Sequence, residues 1–210
     1  ADNSGDVRNL FNELGVTDKI DWWEIPEAYR VISQNEKIDA TMPFGVKEFI
    51  DKMEFYVPNS RISMERFFEL AKEIHAAQAY SSSVNGKTDS KIMVSQYGNF
   101  VRCGSYSVNE VLLALKMPKK ARDILNAYWC YLGAHCDDLS FVHYASMVYR
   151  YITKGASMPK MRSHEISLAL AERIKELGGD IWFNTEAVSI NTYEKDGGVS
   201  GVVLADGREI

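Results

Sequence analysis

The stretch Ala171-Glu172-Arg173-Ile174-Lys175-Glu176-Leu177-Gly178-Gly179-Asp180-Ile181-Trp182-Phe183 carries the clearest fold signal in the chain. With Ile166 and Leu170 upstream, Ile174 and Leu177 recur at helical spacing, and Glu165 stands where a first helical turn favours a carboxylate. Gly178-Gly179 stops the pattern, because glycine enters the left-handed conformation that ends helices without a steric penalty. The spacing predicts a helix over 163–177. Strands over 180–183, 186–193 and 199–204 follow, with turns at Asp196-Gly197-Gly198 and Asp206-Gly207, and residues 208–210 begin another strand. Helix, strand and hairpin in succession make an α+β arrangement.

Upstream the chain is mostly helical. Leu139, Phe141, Val142, Tyr144, Ala145, Met147, Val148, Tyr149, Tyr151 and Ile152 cover nearly the whole circumference of a helix over 138–154, with Asp137 or Asp138 as its cap. A helix apolar all round is buried by protein or lines an apolar cavity. Before it, helices are predicted over 91–102, 107–116 and 118–133. Met64, Phe67, Phe68, Ala71, Ile74 and His75 share one face of another helix, which Asn59, Ser60 or Ser63 could cap, and 81–90 reads as a loop. Val46, Phe49, Ile50 and Met53 mark a helix that must end before Pro58. Residues 20–25, 28–33 and 37–42 are bulky and β-branched and read as one small antiparallel sheet, behind a first helix over 6–15.

The chain has 210 residues, 46% hydrophobic and 25% charged, which excludes collagen-like, disordered and disulfide-scaffold classes. No apolar run approaches the roughly 18 residues that a membrane span needs. Net charge is −5, with residues 61–160 net basic between two net acidic segments. That balance argues against a nucleic-acid partner. Cys103, Cys130 and Cys136 contain no Cys-x-x-Cys pair and read as reduced, mostly buried thiols of a cytoplasmic protein. The chain starts at Ala1 and stops just past a turn, which suggests an excerpt of a longer protein.

Residue chemistry alone gives no catalytic residue. His135-Cys136-Asp137-Asp138 is the densest polar cluster, but four consecutive residues cannot all converge on one ion, so no metal site is expected. His75 and His143 fall among apolar residues and read as hydrogen-bonded core or cavity histidines. Lys116 to Arg122 reads as a solvated helix entrance. No Gly-x-Gly-x-x-Gly, Walker, Gly-x-Ser-x-Gly or His-Glu-x-x-His motif occurs.

The run Gly155-Ala156-Ser157-Met158-Pro159, the helix ending Gly178-Gly179, Glu186-Ala187-Val188-Ser189-Ile190 and Val199-Ser200-Gly201-Val202-Val203-Leu204-Ala205-Asp206-Gly207 together resemble one family. It is the phytoene desaturase, carotenoid isomerase and retinol saturase group of FAD-dependent oxidoreductases. The resemblance is closest over 155–210, looser over 105–154, and over 1–104 rests on Leu10 to Val16 with Asp18-Lys19-Ile20. It implies a substrate-binding region over 1–154, with short strands and then helices, and a partial FAD-binding segment over 155–210. It further implies that the backbone of Val188 meets the adenine of FAD, and that an apolar, isoprenoid-like substrate exchanges hydride with the flavin. In that family the phosphate loop stands at the start of the chain and is not part of this sequence, so these residues alone are not expected to retain FAD. Where that family has a Gly-Gly pair after its proline, this sequence has Pro159-Lys160-Met161-Arg162 instead. Either this loop keeps its distance from the flavin, or side chains fill space that others leave open.

Phe141, Tyr144, Met147 and Tyr151 are the candidates to line the apolar substrate cavity, and peripheral contact with a membrane surface is a further expectation. The alternative is a non-catalytic module for an apolar ligand or a protein partner on a degenerate flavoprotein fold.

Overall fold

The computed structural model describes residues 6–193 and 197–210. In chain order the elements are α1 (Asp6–Leu14), β1 (Trp22–Glu24), β2 (Tyr29–Ser33), β3 (Ile38–Met42), α2 (Val46–Tyr56), α3 (Arg61–Ser83), α4 (Ser90–Gln96) and α5 (Gly98–Cys103). There follow α6 (Val108–Ala114), α7 (Lys119–Asn126), α8 (Phe141–Lys154), β4 (Ser157–Pro159), α9 (Ser163–Glu176), β5 (Ala187–Thr192) and β6 (Val199–Leu204). Helices with small antiparallel sheets make this an α+β fold. Two compact units emerge: Trp22–Lys160, and Asp6–Asp21 together with Met161–Ile210. The sequence reading divides the chain at 154/155 and leaves α1 with the first part.

The first unit is built on α3 packed against α8. Phe67, Phe68, Ala71 and Ile74 of α3 meet Phe141, Tyr144 and Val148 of α8 in one buried cluster that also takes Phe49 and Met53 from α2. Phe67 lies edge-on to Phe141 at 6.1 Å, and Phe49 edge-on to Phe68 at 5.6 Å. Edge-to-face rings of this kind add to the burial of large aromatic side chains. α3 begins without a side-chain cap from Ser60. Glu54 of α2 instead accepts from the backbone N–H groups of Asn59 (2.8 Å) and Arg61 (2.7 Å) and from the Ser60 hydroxyl. Those donors hold its carboxyl below the usual range. A carboxylate from the preceding helix thus satisfies amide groups that the helix start leaves open.

Several expectations are corrected here. β2 pairs with β3, but β1 pairs with β4, so the early strands form two separate ribbons rather than one sheet. The strand at Trp22–Glu24 finds its partner more than a hundred residues later, which no local pattern encodes. α3 runs on to Ser83, through serines read as loop. The helix expected over 91–102 breaks at Tyr97. That over 118–133 ends at Asn126 and gives way to a short 3-10 turn, Trp129–Leu132. α8 begins at Phe141, behind Ser140 rather than Asp137 or Asp138.

In the second unit α9 closes as read. Gly178 has φ +82°, and the N–H of Gly179 donates to the Ile174 carbonyl at 2.9 Å. A Cβ on Gly179 would stand 2.8 Å from Ile174 Cγ2, so the second glycine is needed for close approach rather than for φ. No strand forms over 180–183. The Asp180 carboxylate takes the Trp182 indole N–H and the Ile181 backbone N–H, both at 2.8 Å, and the second of these competes with ladder pairing. β5 and β6 form the expected hairpin, and Val202 exchanges backbone hydrogen bonds with Ile210, in keeping with a strand starting at 208. Asp196 of the expected turn lies outside the described residues. Lys19 joins α9 through Glu176 at 2.7 Å and Glu172 at 3.0 Å.

Candidate functional site

Val188 stands on β5 at a bulge. Ala187 pairs with Leu204 and Ser189 with Val203, two neighbours on β6, so Val188 is the extra residue with no partner across the ladder. The residue is 58% exposed. Its backbone N–H and C=O are the groups through which the contact implied with adenine would be made. The Gly-rich loop that would hold a pyrophosphate is no part of this sequence.

The loop before α9 holds an unusual backbone. Arg162 sits at φ +64°, ψ −168°, directly ahead of the first helical residue, a conformation close to exclusive to glycine. The position thus holds a backbone that glycine adopts freely, while carrying a long cationic side chain. Met161, beside it, is exposed, and its N–H donates to Glu165 at 3.0 Å.

The four residues proposed to line a substrate cavity divide in their surroundings. Phe141 and Tyr144 are fully buried in the core of the first unit. The Tyr144 hydroxyl donates to the Leu125 carbonyl at 2.9 Å and lies 3.2 Å from Asn126 Oδ1, and burial pushes its pKa well up, so it remains a neutral donor. Met147 and Tyr151 are half-buried on the cluster's margin. The Tyr151 hydroxyl donates to the Ala28 carbonyl at 2.7 Å, and its ring stacks on Tyr128 at 4.6 Å with Phe44 edge-on at 5.1 Å.

Tyr128 also lies nearly parallel to Tyr29 at 5.6 Å and to Tyr131 at 5.7 Å. The sequence reading missed this tyrosine group. The three-residue spacing of Tyr128 and Tyr131 was a visible signal, but Tyr29 comes from a strand a hundred residues away.

His75 is half-buried, its Nδ1 3.1 Å from the buried Ser146 hydroxyl, and burial, reinforced by the nearby cations Arg150 and Lys154, lowers its pKa. His143, expected in a core or cavity, is exposed on α8. Cys103 and Cys136 are buried thiols whose pKa burial raises, while the Cys130 side chain lies outside the described residues. Among the described residues no group of three or more His, Cys, Asp or Glu is placed to hold a metal ion, and no helix is long and apolar enough to cross a membrane.

One further concavity, of about 420 Å³, opens in the first unit between the turn end of the β2–β3 hairpin, α7, Asn109 of α6 and the loop His135-Cys136-Asp137. None of the four proposed lining residues reaches it.

No protein-family model and no curated protein matches the sequence. Among solved structures the chain is similar to a Rab GDI from Plasmodium falciparum, with a TM-score of 0.54 at 12% identity. The likeness covers 98% of this chain but spans 45% of the length of that one. At that identity it shows the fold alone, an α+β fold.

Proposed function

We propose that these residues are the substrate-binding portion, with part of the cofactor-binding portion, of a FAD-dependent oxidoreductase acting on an apolar, isoprenoid-like substrate. The observation that carries this reading is the register shift at Val188, which sets an exposed strand residue outside the β5–β6 pairing where the resemblance calls for adenine contact. In the intact protein FAD would accept or deliver the hydride. The residues of this chain would position the adenine through the Val188 backbone and shield an apolar substrate from water.

The test is FAD affinity of the intact protein and of two variants. Val188→Ala keeps the backbone groups and should leave affinity near that of the parent. Val188→Pro removes the N–H and should lower it by about tenfold or more, the scale of one lost hydrogen bond to a ligand. An intact protein purified without flavin, and unable to take it up, would overturn the proposal.

A second reading is a non-catalytic binding module for an apolar ligand or protein partner. It is favoured by the complete burial of Phe141 and Tyr144, which assigns two of the four lining candidates to the core. A Rab GDI, named for Rab proteins, shares the fold. Failure to take up flavin, together with retained folding, would favour this second reading.

A further inference from the structure

We propose that the outer face of α4 and α5, with the end of the loop that leads into α4, docks on an anionic lipid surface. Of the seven residues of α4, Ile92, Met93 and Val94 are apolar, yet the helix has no buried residue and none of the three joins the core of the first unit. Val94 is 68% exposed, and Val101 in α5 and Tyr106 just after it are exposed as well. Backbone hydrogen bonds carry across the break at Tyr97, whose N–H donates to the Met93 carbonyl at 3.1 Å and whose carbonyl accepts from Val101 at 3.2 Å. The two helices thus form one bent run, with Val94 and Val101 about two turns apart on its outer side. Its inner side is held by Cys103, which is buried, and by Phe100, which packs on the core. The Tyr80 hydroxyl accepts from the Asp89 N–H at 3.3 Å while the Tyr80 ring stacks on Tyr97 at 5.8 Å, which ties the end of the loop to the bend.

The free charge on this face has one sign. Lys87, Lys91 and Arg102 are exposed. Among the described residues none of them stands in an ion pair, whereas Arg30, Arg61 and Lys119 each face a carboxylate. The carboxylates nearby are engaged elsewhere. Asp89, the one acidic residue over 87–109, accepts from the backbone N–H groups of Lys91 at 2.7 Å and Ile92 at 3.2 Å. Glu73 of α3 takes the backbone and side-chain amides of Asn99, both at 2.7 Å, and Glu110 closes the capping box of α6. Unpaired cations beside exposed apolar side chains suit a segment lying in a lipid interface, where the apolar groups enter the headgroup boundary and the cations meet anionic headgroups. Tyrosine favours the same depth. Lysine is depleted at protein–protein interfaces, so a face on which Lys91 adjoins Ile92 favours lipid over a protein partner. This docking goes beyond the oxidoreductase reading and stands whether or not flavin binds.

The experiment measures cosedimentation of the intact protein with phosphatidylcholine vesicles and with vesicles in which about a quarter of the lipid is phosphatidylserine. Anionic vesicles should bind it about a hundredfold more strongly, roughly fivefold for each of the three cations, and the preference should shrink as salt is raised. Lys87→Gln, Lys91→Gln and Arg102→Gln combined should abolish the preference. Val94→Ser with Val101→Ser should weaken binding to both kinds of vesicle several-fold. Amide hydrogen exchange should slow over 90–103 when anionic vesicles are added, and stay unchanged in the β2–β3 hairpin. Equal binding to the two vesicles, a full preference in the folded triple-glutamine variant, or protection confined to other segments would overturn the proposal. Self-association that the serine substitutions abolish, without vesicle binding, would overturn it in favour of a second copy of the chain. Circular dichroism and flavin content of each variant separate loss of docking from loss of the fold or of the cofactor site. If the triple variant does not fold, the vesicle comparison and the exchange map of the unsubstituted protein decide alone.

Discussion

The carboxylate of Glu165, in the first turn of α9, accepts a 2.6 Å hydrogen bond from the backbone N–H of Asp21, 144 residues earlier in the chain. Its other oxygen takes the N–H of Met161 at 3.0 Å. One side chain thus ties the segment that follows α1 to the helix whose start it also stabilises. Glu165→Ala should lower stability by about 1–2 kcal/mol, the range for a charged acceptor of two backbone donors at an exposed site. Glu165→Gln should recover part of that. Urea unfolding of the two variants checks it, and equal midpoints for Ala and Gln would show that the acceptor geometry does not matter.

Arg162 holds a glycine-like backbone at φ +64° without being glycine. Arg162→Gly should therefore stabilise the chain by about 1 kcal/mol, since relief of a strained conformation outweighs the added freedom of the unfolded chain. A drop in the unfolding midpoint would mean that the arginine side chain contributes more than its backbone costs.

Tyr144 separates core from cavity. Tyr144→Phe keeps the ring and removes the hydroxyl bonded to the Leu125 carbonyl, so a loss of about 1–2 kcal/mol is expected. Tyr144→Ala removes a fully buried ring and should lose about 3–5 kcal/mol. If the alanine variant loses far less while the intact enzyme's turnover falls, the ring faces substrate after all.

His75 makes stability depend on pH. Its folded pKa lies below the unfolded value of about 6.5, because burial, Arg150 and Lys154 all disfavour the cation. The unfolded chain therefore takes up the proton first, so the histidine's contribution is intact above pH ~6.5 and is lost as pH falls through that value toward the folded pKa. His75→Gln should flatten the stability profile across that acid window, measured as unfolding midpoint against pH. An unchanged slope would assign the acid sensitivity to other groups.

The helices α1, α2 and α9 and the hairpin of β5 and β6 were legible in the sequence, because periodicity and a stop signal lie within a few residues of each other. Gly15 and Gly178, both at positive φ, end α1 and α9 at the places their patterns give out. The apolar character of α8 was legible as well, but not which neighbours would cover it. Burial on nearly all sides is common to a core helix and a cavity helix, and only the packing of Phe67 against Phe141 and Tyr144 distinguishes them.

The tertiary structure decided everything that depends on partners distant in sequence. β1 pairs with β4 because a three-residue strand has no local preference strong enough to choose its neighbour. Residues 180–183 have strand composition, yet a strand exists only where a second one completes its ladder, and Asp180 takes the Ile181 backbone N–H instead. The tyrosines around Tyr128, the glutamate caps of α3 and α9 and the pocket at Asp137 each join residues from separate elements. Local sequence fixes backbone preference and the side a helix or strand buries. Which surfaces then meet is settled by the competition among all the apolar faces at once, a property of the folded chain rather than of any stretch of it.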